Sequence, residues 1–134
     1  MNLDMRIRAA HAPFIFIALT VLDQLSKYLV RYFSGLYVCN RDLAWGIIIP
    51  GSLFWIFWIA TMAAIIFILK KTVAEKNYLP LMFIFSGAFS NAIDRVLFGC
   101  VIDFIDFKFW PVFNLADVFI ALGMFLLLAK FLKK

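Results

Sequence analysis

Charge is scarce in this sequence. Only 16% of its 134 residues are Asp, Glu, Lys or Arg, against 66% apolar. A water-soluble domain of this length leaves much of its area in water and cannot hide so much apolar surface. Histidine is almost missing, since His11 is the single one. Without a second His, and with no partner of the right kind for Cys39 or Cys100, neither a His/Cys metal site nor a Cys–His nucleophile can be assembled, and no cofactor is expected. There are two cysteines, too few to form a spacing pattern. Two small free thiols are the expectation, with a disulfide on an oxidising outer side as the alternative. Internal repeats and low-complexity linkers are absent.

The apolar residues gather in four runs: 13–32, 51–69, 79–98 and 115–132. Each is close to the roughly 20 residues that cross the hydrocarbon core of a bilayer, and the mean hydropathy is +0.98. The expected fold is all-α and integral to the membrane. It is a single-domain bundle of four transmembrane helices with short connections and a small extended element in the outer loops. Arg6, Arg8, Lys70, Lys71, Lys76, Lys130, Lys133 and Lys134 fall on one side of the runs. The positive-inside rule makes that side, with both termini, cytoplasmic. Arg6 and Arg8 ahead of an apolar run resemble the start of a signal peptide, but no small-x-small cleavage site follows and the run is read as an uncleaved first span. The net charge of +5 then reflects topology and anionic lipid, and calls for no nucleic-acid partner.

Pro13, Pro50 and Pro80 are read as standing at or near helix starts, and Gly99 as a stop. Asn114 with Asp117 three residues on predicts a capping box. Leu36–Cys39 and Val101–Phe107 are β-like runs in the outer connections. Ser86, Gly87, Ala88, Ser90 and Ala92 offer small residues for helix packing.

Intramembrane charges are costly and mark function by default. Asn91, Asp94 and Arg95 share a face of the third run at offsets of three and four. Asp94 and Arg95 are read as neutralising each other or reaching the interface. Asp103 follows the outer end of the third helix, and Asp117 sits one turn into the outer end of the fourth, so both arrive at one depth on one side. Two carboxyls in a partly dry site cannot both ionise cheaply and share a proton. Such a pair can take a proton from water with one member and donate to a peptide carbonyl with the other. His11 lies toward the other end and is read as interfacial.

Four blocks carry a resemblance: Asp23-Gln-Leu-Ser-Lys27, Ser86–Arg95, Val101-Ile-Asp103-Phe and Pro111–Asp117. In this order they resemble the signature blocks of lipoprotein signal peptidases (signal peptidase II). The resemblance implies an aspartic endopeptidase of the bacterial inner membrane, with its site toward the outer face, and a monomer is expected because nothing in the sequence demands an oligomer. It would remove signal peptides from diacylglyceryl-modified prolipoproteins, before the lipidated cysteine. It implies Asp103 and Asp117 as catalytic residues and Asn40, Asn91, Arg95 and Asn114 as substrate-binding or site-shaping residues. Asp23, Lys27 and Asp94 become supporting polar groups. The sequence departs from the family's usual pattern at Asp42 and Trp45, and at Ser90 before Asn91. Trp45, Phe107 and Trp110 are read as a cover that excludes water from the site. Competing readings are an inactive relative that binds lipidated peptides, a small ion-coupled transporter and an assembly protein.

Overall fold

The four apolar runs become four helices in a computed structural model that describes residues 3–41, 50–72 and 78–132. Helix α1 spans Leu3–Leu29. It runs on through one π turn, Val30–Ser34, and stops at Gly35, whose φ of 64° returns its N–H to the Val30 carbonyl. Pro13 lies inside α1 and not at its start. The ring removes one backbone hydrogen bond, a local loss that leaves the helix continuous. Helix α2, Gly51–Thr72, opens directly after Pro50, whose carbonyl accepts the Phe54 N–H at 3.1 Å. Helix α3, Tyr78–Phe98, carries Pro80 in its first turn. It ends at Gly99, where a φ of 71° brings the N–H back to the Arg95 carbonyl at 3.1 Å. Helix α4, Leu115–Phe131, is capped by Asn114 in a reciprocal box with Asp117.

Among the described residues three helices are long and apolar enough to cross a membrane: Ala10–Ser34 with the π turn, Gly51–Ile68 and Tyr78–Phe98. With 17 residues, α4 rises about 25 Å and is the shortest of the four.

Among the described residues, two short strands join the helices. β1, Val38–Asn40, pairs antiparallel with β2, Val101–Asp103, placing Val38 opposite Asp103, Cys39 opposite Ile102 and Asn40 opposite Val101. That register brings the Cα atoms of Cys39 and Cys100 to 5.4 Å, and the two form a disulfide. The expectation of free thiols is therefore corrected. The residues meet through strand pairing across 61 positions of chain, which no local spacing announces. Beyond β2 the chain turns back on itself, with Phe104 and Ile105 donating to the Phe113 carbonyl at 3.0 and 2.8 Å. Phe107, Phe109 and Trp110 are exposed near the tip of this turn.

Helix α3 is central. α4 packs along it most closely, α1 lies against both, and α2 rests on α3, where Trp58 Nε1 donates to the Ala88 carbonyl at 3.2 Å. Gly87 and Gly123 allow the α3–α4 approach. A Cβ on Gly87 would lie 2.4 Å from the Ala116 carbonyl oxygen, and one on Gly123 2.5 Å from that of Pro80. The molecule is polar inside and apolar outside. Asp23, Asp94, Ser86, Ser90 and Asn114 are fully buried, while Phe14, Phe57 and Phe125 are each more than 60% exposed. Such a distribution suits lipid and not water as the surrounding solvent.

Candidate active site

The site grows from the C-terminal end of α1. Asp23 and Lys27 stand four residues apart on one face of the helix, with Lys27 Nζ 2.6 Å from Asp23 Oδ2. Asp23 Oδ2 also accepts from Ser90 Oγ at 2.7 Å. Its Oδ1 accepts the Ala116 N–H at 2.8 Å, tying α1 to the first turn of α4. Lys27 Nζ reaches Asp94 Oδ2 at 2.8 Å and Asn91 Oδ1 at 2.9 Å. An ammonium has three donors, and all three are used. Asp94 also accepts from Gln24 Nε2 at 2.9 Å and from the Ile102 N–H at 3.1 Å. It thus holds β2 against the end of α3.

This platform orients two asparagines. With Oδ1 fixed by Lys27, Asn91 presents Nδ2 to Asp117 Oδ1 at 2.9 Å. Asn114 Nδ2 donates to Asp103 Oδ1 at 2.7 Å and to Asn91 Oδ1 at 3.1 Å. Its own Oδ1 accepts the Asp117 N–H at 2.9 Å, and its backbone N–H donates to Asp117 Oδ2 at 3.2 Å. From the other side, Asn40 Nδ2 donates to Asp103 Oδ2 at 3.0 Å. Both acids are therefore gripped by side-chain amides, and Asn114 holds each of them.

Asp103 and Asp117 border one cavity of about 650 Å³, whose lining includes Asn40, Phe54, Trp58, Asn91, Arg95, Trp110 and Met124. Asp103 is 3% exposed. Burial pushes its carboxyl up to about 6, from an ordinary 3.8. The Asn40 hydrogen bond opposes that rise, the charge of Asp117 adds to it, and Asn114 and Lys27 oppose it. The guanidinium of Arg95 lies 4.5 Å from the centre of the Phe54 ring and within electrostatic reach of Asp94, Asp103 and Asp117. Four carboxyls thus face two cations in a largely buried cluster. That imbalance favours a proton on the pair nearest the cavity.

A model of the family described as Signal peptidase (SPase) II matches residues 15–133. The chain belongs to the signal peptidase II family. It is similar to the lipoprotein signal peptidase of Moorella thermoacetica, with 36% identity across 86% of this chain and 89% of the relative. It is likewise similar to that of Caldanaerobacter subterraneus subsp. tengcongensis, with 40% identity across 79% and 85%. A bacterial membrane enzyme solved by the in meso method at 1.9 Å superposes with a TM-score of 0.82 at 27% identity, covering 93% of this chain and 94% of that one. The chain is thus a multi-pass membrane protein of a peptidase family.

Every residue singled out for the signal peptidase site has a place in this arrangement. Asp103, Asp117, Asn40, Asn91 and Arg95 line the cavity. Asn114, Asp23, Lys27 and Asp94 lie buried behind it. Asp94 takes Lys27 as its ion-pair partner, whereas adjacency in sequence had paired it with Arg95. Trp110 lines the cavity, while Phe107 packs on Phe109 and Phe113. Asp42 and Trp45 lie outside the described residues. Two participants were missed. Ser90, read as a packing residue, donates its hydroxyl to Asp23. Gln24 joins Ser90 to Asp94, and a lone amide inside an apolar run was the signal for it. His11 is exposed, about 18 Å along α1 from Asp23.

Proposed function

We propose that this chain is an aspartic endopeptidase that removes signal peptides from diacylglyceryl-modified prolipoproteins, cutting before the lipidated cysteine. The observation that carries this reading is the pair Asp103 and Asp117 on one cavity, each held by buried amides. Together the pair holds one proton. The ionised carboxylate draws a proton from water as the water attacks the scissile carbonyl. The protonated partner donates to that carbonyl oxygen. As the C–N bond breaks, the proton taken from water passes to the leaving amine, one hydroxyl proton of the tetrahedral diol returns to the other carboxylate, and the pair again holds one proton.

Arg95, Asn40 and Asn91 stand on the cavity wall, where they orient the peptide backbone, and Trp110 helps exclude bulk water. The apolar lining from Trp58 to Met124 suits the signal-peptide helix, which reaches the cavity sideways from lipid. The basic residues at 6, 8, 70, 71, 76, 130, 133 and 134 support cytoplasmic termini and an active site at the outer face of the bacterial inner membrane. One copy supplies all the residues named here, which supports a working monomer.

The test uses purified protein in lipid with a diacylglyceryl-modified prolipoprotein, following signal-peptide release by gel shift. Wild type is expected to cleave. Asp103→Asn and Asp117→Asn are each expected to lose about 100-fold or more while melting as cooperatively as wild type. Retained cleavage in either variant removes that residue from the dyad. A well-folded wild type that cleaves none of several such substrates is an inactive relative.

A further inference from the structure

Asp103 is held from two unequal sides. Asn114, which grips Oδ1, is fully buried at the start of α4. Asn40, which grips Oδ2, arrives on β1, a strand of three residues with three ladder pairs. A two-stranded ladder of that length is marginal alone. Val38 and Cys39 are exposed, so burial adds little to hold it. The Cys39–Cys100 disulfide stands at the root of this arm, one residue before Asn40 and three before Asp103.

We propose that the Cys39–Cys100 disulfide is a positioning element for catalysis, seating the Asn40 amide on Asp103. This rests on the reading of Asp103 as a catalytic acid. Asp103 also faces Asn114 and Asp117 from α4 and its cap, Lys27 from α1 and Arg95 from α3. None of these is carried by β1. The link through Asn40 has its own signature. Its N–H favours the ionised carboxylate, so a loosened β1 raises the proton affinity of Asp103.

The experiment compares kcat, and kcat/KM against pH, for wild type, Asn40→Ala, Cys39→Ala/Cys100→Ala and the triple variant, all full-length in lipid. The substrate is a diacylglyceryl-modified prolipoprotein, and Asp103→Asn is the control. Asn40→Ala is expected to lower kcat about 10-fold, the worth of a hydrogen bond to a charged group. The cysteine variant is expected to lose at least about threefold through local opening of β1. In both, the high-pH limb of kcat/KM moves upward. In the Asn40→Ala background, loss of the cysteines costs nothing further.

Treating wild type with dithiothreitol, which is oxidised to its cyclic disulfide as two protein thiols form, reproduces the cysteine variant and covers the case in which that variant fails to fold. Wild-type kcat and an unmoved limb without the disulfide overturn the proposal. So does an equal loss in both backgrounds, which marks a purely structural tie. Cleavage retained by Asp103→Asn overturns the underlying catalytic assignment instead.

Discussion

Lys27 uses all three of its donors, with Asp23, Asp94 and Asn91 all within 2.9 Å of its ammonium. Removing it leaves two fully buried carboxylates without their cation. Lys27→Met is expected to destabilise by about 3–5 kcal/mol, read as a fall in melting temperature in detergent. A melting curve that coincides with wild type would show the network to be dispensable. Asp103 supplies a pH prediction. Its folded value of about 6 lies above the ordinary 3.8, so burial opposes its charged form. The associated stability is complete below pH 3.8 and is lost as pH rises through 6. Wild type should therefore lose more melting temperature between pH 4 and pH 7 than Asp103→Asn does. Under the proposed mechanism, with the shared proton on Asp103, the high-pH limb of kcat/KM is expected near 6. The acids were legible in the sequence because a carboxyl in an apolar run has few other reasons to be there. Ser90 was not, since a hydroxyl costs too little in such a run to stand out.

Helices α3 and α4 are set against each other by two glycines and one cap. At Gly87 an added Cβ would meet backbone at 2.4 Å, whereas at Gly51 it would meet nothing within 4 Å. Gly87→Ala is expected to cost about 1–3 kcal/mol and to lower activity with it, since Ala116 precedes Asp117. Gly51→Ala is expected to stay within about 0.5 kcal/mol of wild type. Equal melting temperatures for the two variants would refute close packing as the role of Gly87. At this scale the sequence was informative about helix ends that carry their own chemistry. Gly99 and the Asn114 box behave as their residue types predict. It was uninformative at Pro13, where helix continues on both sides of the ring. It was also uninformative at Cys39 and Cys100, whose meeting depends on strand register between distant segments.

At the scale of the bundle, the buried polar cluster stands beside a cavity bordered by Phe54 and Trp58 of α2 and by Ala121 and Met124 of α4. If this apolar stretch receives the signal-peptide helix, filling it should weaken binding without touching the acids. Ala121→Trp is expected to raise KM about 10-fold or more, a loss of at least about 1.4 kcal/mol of binding, with melting unchanged. An unaltered KM would move the peptide elsewhere. Composition alone foretold the helical membrane fold, because 66% apolar residues leave few alternatives. The shape of the cavity was not foretold, since it depends on how α2 leans on α3 and no single residue type encodes that.

The polar cluster also bears on how the chain enters the bilayer. Asp23 and Lys27, one turn apart on α1 and 2.6 Å apart in the folded protein, form a pair with no net charge to carry into hydrocarbon. Asp94 and Arg95 give α3 the same neutrality by adjacency. When the helices assemble, Lys27 gains Asp94 as a second counterion, and Arg95 joins the cavity wall. Charges that offset one another within a single helix are thus shared between helices once the bundle is assembled.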